Sequence, residues 1–132
     1  MPEKRTLKRA ARDRRQGKAA STQAGEFVRE EIEHIREGKH GARSTKQAIA
    51  IGLSKARRAG VKLRPPRKGT TSKQTRRRAQ RDYARGQRGS AAKPSPRRSR
   101  ASLRRLKREG RAAGSRQALS RHAKQAARRR AA

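Results

Sequence analysis

The sequence has no cysteine and no tryptophan, and it has one phenylalanine and one tyrosine in 132 residues. Without cysteine there can be no disulfide and no thiolate-bound zinc, which suits a cytoplasmic setting. Hydrophobic residues are 29% of the chain and aromatics 2%. That is too little to fill a core for a chain this long, so much of it is expected to be solvated. No apolar run approaches the ~18 residues of a membrane-spanning helix, and no flanking segment has a bulky apolar face for interfacial anchoring. The N-terminus is basic from Lys4 onward but lacks the apolar stretch of a secretory signal. Negative charge is scarce as well: nine acidic residues stand against 42 basic ones, a net +33. Such a surplus calls for a polyanion, DNA or RNA before any membrane surface.

Most of the core-forming residues lie between Ser21 and Leu63. Ala24, Val28, Ile32 and Ile35 recur at helical spacing, with Ser21 or Thr22 placed to cap the start and Gly38 to stop the helix. Ser44 and Gln47 fit a capping box, after which Ile49, Gly52, Leu53, Ala56 and Gly60 share a face of a second helix. Gly52 in a helix interior costs ~1 kcal/mol against alanine; close approach of the first helix would account for it, and so would a tolerated exposed glycine. Glu26, Glu30, Glu33 and Glu37 fall opposite Val28 as an acidic stripe, and Lys55 and Arg58 fall opposite Ile49. Ile51 projects with that basic face. The segment carries +4 and leaves +29 on the flanks, which are expected to be disordered without a partner.

The predicted organisation is therefore a basic arm over 1–20, a helical hairpin module over 21–63, a basic linker over 64–98 with one helix at 72–85, and a basic tail over 99–132. In the arm, Leu7 to Gln16 reads as a short helix stopped by Gly17 and formed on binding. Pro65 and Pro66 break helix after the module, and residues 86–98 read as linker. The tail echoes the module: Leu103, Leu106 and Glu109-Gly110 repeat Ile32, Ile35 and Glu37-Gly38, and Ser115 with Gln117-Ala118-Leu119 repeats Ser44 with Gln47-Ala48-Ile49. A second helix pair over 99–109 and 115–129 follows, with chance similarity in a biased composition as the alternative. The fold class is mainly α: a small helix-turn-helix hairpin with long basic arms, largely disordered or conditionally helical.

Catalytic, cofactor and metal sites find no support in the spacing. His34, His40 and His122 have no cysteine or nucleophile partner, Glu33-His34 does not extend to the metalloprotease pattern, and all three read as surface histidines. Gly38-Lys39-His40-Gly41 lacks the Gly-Lys-Ser/Thr ending of a P-loop. It is a GXXG between two helices, the device by which KH domains hold a nucleic-acid backbone, although no KH sheet is evident. Either it is a plain loop, or Gly41 admits a phosphate to the amides opening the second helix.

Phe27 and Tyr83 provide no platform for stacking single-stranded bases, so contacts should be to phosphates. The expected contacts are Lys39, Arg43, Lys46, Lys55, Arg57 and Arg58 in the module, Arg76, Arg77 and Arg78 in the linker helix, and Arg104, Arg105, Arg128, Arg129 and Arg130 in the tail. Lys46 to Gly60, KQAIAIGLSKARRAG, together with the preceding GEFVREEIEHIREGKHGARS, resembles a small basic bacterial family of uncharacterised function. Its members carry a KQAIAIGLSxAR core after an EGK turn and are sometimes labelled plasmid-stabilisation or DNA-binding proteins. The resemblance implies a nucleic-acid role and carries no site residues with it.

The expected function is a non-enzymatic, largely sequence-tolerant DNA-binding protein, nucleoid-associated or concerned with plasmid maintenance, without cofactor or membrane partner. Dimerisation through 21–63, or a ligand, would stabilise so small a module. The alternatives are an RNA- or ribosome-associated basic protein and an adaptor joining a protein partner to nucleic acid.

Overall fold

The computed structural model describes residues 2–89 and 95–131. They form six α-helices and one 3-10 turn: α1 (Lys4–Arg15), α2 (Ala20–Arg36), α3 (Thr45–Arg58), α4 (Lys73–Gln87), α5 (Pro96–Arg108), the turn Ala112–Gly114, and α6 (Arg116–Ala131). Among the described residues the only β pairing is an isolated bridge between Lys68 and Thr71. The protein is mainly α, as expected, but the disordered arms are not what is found. The flanks are helices, and residues 90–94 of the expected linker lie outside the described residues.

Two compact units share the chain: Met1–Glu30 with Ile51–Ala92, and Glu31–Ala50 with Lys93–Ala132. Both α2 and α3 run from one unit into the other, so the residues of the hairpin expected over 21–63 are divided between the two. The flanks supply part of each unit: Ala10 and Ala20 join the first core, and carbonyls of Leu106 and Gly110 pair with the loop after α2 in the second.

In the first unit the core is Ala10, Ala24, Phe27, Ala56 and Val61, with Ala20, Leu53 and Leu63 packed against it. Ala10 comes from α1, which also buries Thr6 and Asp13. The first turn of α1 is held by Glu30, whose Oε1 accepts the Glu3 amide at 2.6 Å and the Thr6 hydroxyl at 2.9 Å. A carboxylate at a helix N-terminus satisfies orphan amides and faces the positive end of the helix dipole, worth up to about 2 kcal/mol where partly buried. Gly17, with φ +74, ends the helix region as expected. Ser21 and Thr22 lie inside α2 and do not cap it. In α4, Ser72 caps by accepting the Thr75 amide at 3.2 Å. The helix runs past the expected end at Arg85 to Gln87, and Gly86 lets it lie directly on the Arg57 carbonyl.

The close approach at Gly52 is real. A Cβ there would sit 2.6 Å from the Val28 Cα, so α2 and α3 touch backbone to backbone. The buried face of α3 is accordingly Thr45, Ala48, Gly52 and Ala56, while Ile49, Ile51 and Leu53 are half-buried. Ala24, Phe27, Glu31 and Ile35 are buried at helical spacing along α2, a line that includes a carboxylate.

In the second unit two loops pair. The Gly41 and Ala42 amides donate to the Leu106 and Gly110 carbonyls at 2.8 and 3.1 Å. Arg36 Nε donates to the Gly114 carbonyl at 2.8 Å, and Arg111 Nε returns to the Ile35 carbonyl at 3.3 Å. Each arginine thus serves the other segment's turn or helix end, where carbonyls lack helical donors. Ser44 and Ser115 cap their helices alike, accepting the Gln47 and Ala118 amides, each at 3.1 Å. The tail helices fall close to the ranges read from the sequence echo.

Gly52 and Gly25 should respond oppositely to alanine. Gly25 is helical with nothing within 4 Å of an added Cβ, so Gly25→Ala should stabilise by about 0.5–1 kcal/mol. Gly52→Ala should destabilise by about 1–3 kcal/mol because the obstacle is backbone. Urea denaturation followed by circular dichroism measures both.

Candidate nucleic-acid interface and a buried histidine cluster

The surface is defined by where the nine carboxylates go. Asp13, Glu30 and Glu31 are buried, Glu3, Glu26, Glu33, Asp82 and Glu109 are half-buried, and only Glu37 is exposed. The acidic stripe read as an outward face of α2 is therefore largely turned into the structure. Glu30, at 2% exposure, organises the start of α1. Asp82 accepts the Ser54 hydroxyl at 2.6 Å and lies 4.0 Å from Arg58. Asp13 lies 3.6 Å from Lys18.

Lysine and arginine do the reverse. Among the described residues Arg57 is the only buried cation, and Arg9, Lys55 and Arg76 are half-buried. Of the expected phosphate contacts, Lys39, Arg43, Lys46, Arg58, Arg77, Arg78, Arg104, Arg105, Arg128, Arg129 and Arg130 are exposed. Arg104 and Arg105 lie on α5, which has no buried residue, and Arg128, Arg129 and Arg130 form the basic end of α6. Arg77 and Arg78 lie on α4 in the first unit, whereas Lys39, Arg43 and Lys46 cluster at the loop of the second.

Arg57 belongs to the interior and is removed from the expected interface. Its Nε donates to the Leu63 carbonyl at 3.1 Å and its Nη2 to the Arg64 carbonyl at 3.3 Å, tying down the chain after α3. Burial lowers its pKa from the ordinary value, and the charge of Asp82 acts in the opposite direction. Arg76 is similarly engaged, through Nε to the Pro66 carbonyl at 3.2 Å.

The GXXG loop does not offer its amides to a phosphate. Besides those of Gly41 and Ala42, the Arg43 amide donates to Gln47 Oε1 at 2.6 Å. A Cβ at Gly41 would overlap the Glu109 and Gly110 carbonyls, so the glycine admits protein backbone. Lys39 instead pairs with Glu37 at 3.3 Å, both side chains about half exposed.

His40 is not a surface histidine. It is 8% exposed, and its Nε2 lies 3.4 Å from Oε2 of Glu31, which is 1% exposed. Its Nδ1 is 2.9 Å from the Gly41 carbonyl, and the His34 ring meets it edge-on at 5.9 Å between centroids. His122 lies on α6 and is half-buried. The sequence signal for the cluster is Glu-x-x-His on one helix, Glu31 to His34, with a further histidine six residues on, a spacing that the adjacent Glu33-His34 pair obscures.

Helices with buried carboxylates and outward cations make this a mainly helical protein whose exposed charges, among the described residues, are almost all positive. The chain belongs to the family described as Family of unknown function (DUF6496), which matches residues 3–69. That span includes α1, α2 and α3 and the chain up to Gly69, so α1 is part of the family's unit and no appended arm. No curated protein and no solved structure matches the chain. No helix of the described residues is long and apolar enough to cross a membrane.

The inward and outward arginines are separable by stability. Arg57→Ala leaves the Leu63 and Arg64 carbonyls without these donors and should cost about 1–3 kcal/mol. Arg77→Ala and Arg78→Ala should stay within about 0.5 kcal/mol of the parent in the same denaturation experiment.

Proposed function

We propose that the protein is a non-enzymatic DNA-binding protein of the nucleoid-associated or plasmid-maintenance type, holding duplexes through phosphate contacts with little sequence preference. The observation that carries this reading is the sorting of charge: eight of the nine carboxylates are buried or half-buried, and nearly every described lysine and arginine is exposed. Cations on such a surface act on phosphates by displacing condensed counterions, an attraction that does not depend on base identity.

The aromatic residues favour duplex over single strand. Phe27 is 1% exposed, and Tyr83 is half-buried. Stacking of unpaired bases needs exposed rings. Arginine's planar fork also suits bidentate phosphate contact and insertion into a narrow minor groove. The arrangement is one of preformed helices bearing cations, so binding need not carry the full ordering cost of a disordered arm.

Fluorescence titrations of labelled duplexes of unrelated sequence, and of RNA of equal length, test the proposal. Log affinity should fall against log salt with about 0.9 per neutralised phosphate, a loss of about 10³–10⁵-fold between 50 and 200 mM for six to ten contacts. Unrelated duplexes should agree within a few-fold, and the Arg77→Ala, Arg78→Ala double variant should reduce the slope by about 2. A preference of several hundred-fold for one duplex, or tighter binding to RNA, would overturn the reading.

A further inference from the structure

The loop after α2 returns a side chain to the helix it has just left. Glu31 and His34 stand three apart on α2, the i, i+3 spacing by which one helix face presents two ligands to a metal. His40 comes back from the loop, so that one ligand atom from each of Glu31, His34 and His40 lies within 4.8 Å of the others.

The hydrogen bond at His40 fixes which nitrogen is available. The Gly41 oxygen, 2.9 Å from Nδ1, can only accept, so Nδ1 carries the ring proton. The other nitrogen, Nε2, then faces the Glu31 carboxylate at 3.4 Å. A neutral imidazole held in this tautomer presents its Nε2 lone pair on the side of the Glu31 carboxylate, as two ligands of one metal ion would. Two ligands on one tetrahedral zinc ion, at bond lengths of about 2.0–2.1 Å, stand roughly 3.3–3.4 Å apart. The Nε2 to Oε2 separation of 3.4 Å leaves room for such an ion.

We propose that Glu31, His34 and His40 form a binding site for a divalent transition-metal ion of the zinc class. Two imidazoles and a carboxylate suit Zn²⁺ and its neighbours, whereas Mg²⁺ and Ca²⁺ take oxygen ligands and Cu(I) takes sulfur. The carbonyl on Nδ1 is the outer partner that orients a metal-bound histidine. A fourth position is left for water or another ligand. The ion would pin His40, and with it the adjacent Gly41 and Ala42 amides that reach the Leu106 and Gly110 carbonyls, so loading should stabilise the loop pairing.

The test uses the full chain, stripped of metal with a chelator and then titrated with ZnCl₂ by calorimetry and with CoCl₂ by visible absorption. One equivalent of Zn²⁺ should bind, Co²⁺ should give the intense bands of a four-coordinate site that Zn²⁺ abolishes, and zinc should raise the unfolding midpoint. His34→Gln and His40→Gln should each weaken Zn²⁺ binding about a hundredfold or more, since outer partners alone are worth 10–100-fold. His122→Gln should leave it unchanged. Failure of the parent chain to bind an equivalent, a six-coordinate Co²⁺ spectrum, or affinity retained in both variants would overturn the proposal. Should His40→Gln not fold, His34→Gln and the parent's Co²⁺ spectrum decide.

Discussion

A chain of net charge +33 repels itself, and it folds only if its few carboxylates stand where that repulsion is most damaging. Glu30 shows the device most clearly. It lies in α2, 24 residues from Thr6 and 27 from Glu3 along the chain, yet it receives the amide and hydroxyl that open α1. An arginine-rich helix carrying Lys8, Arg9, Arg12, Arg14 and Arg15 is thereby attached by its positive dipole end to a buried negative charge. Asp82 works similarly in α4, reaching Ser54 and standing near Arg58.

The same economy governs the apolar contacts. With one phenylalanine, buried, and alanine at Ala10, Ala24 and Ala56, helices can touch only if they come very close. Glycine makes that distance possible at Gly52 against Val28. Where side chains are too small to fill space, backbone carbonyls are satisfied by arginine instead: Arg57 at Leu63 and Arg64, Arg36 at Gly114, and Arg111 at Ile35. Arginine therefore has two occupations in this protein, fastening loops and covering the surface, and composition alone does not distinguish them.

That double use explains what was legible in the sequence. Helical periodicity, the Ser44 capping box, the stop at Gly17 and the echo of the module in the tail all depend on local order, and each was readable. The order of the flanks is not legible because charge density alone points to disorder, while the pairings that hold α1 and α4, Glu30 with Glu3 and Thr6 and Asp82 with Ser54, join residues 24–28 apart in sequence. Arg57 could not be told from Arg58 by type or neighbourhood; only the return of the chain at Leu63 and Arg64 draws it inward. The burial of Glu31 is not legible because a carboxylate in line with Ala24, Phe27 and Ile35 interrupts the apolar pattern. Nothing local to His40 shows that the 106–110 segment pairs with its loop, so its burial is not legible in the sequence.

Buried carboxylates holding basic helices in place, before any polyanion arrives, is the central claim, and amide hydrogen exchange on the free full-length chain addresses it most directly. Without nucleic acid, the interior amides of α1, around Ala10, should exchange at rates within about an order of magnitude of those of α2, and Glu30→Ala should release α1 selectively. Exchange of α1 at unfolded-chain rates in the free protein, with protection appearing only when a duplex is added, would contradict it.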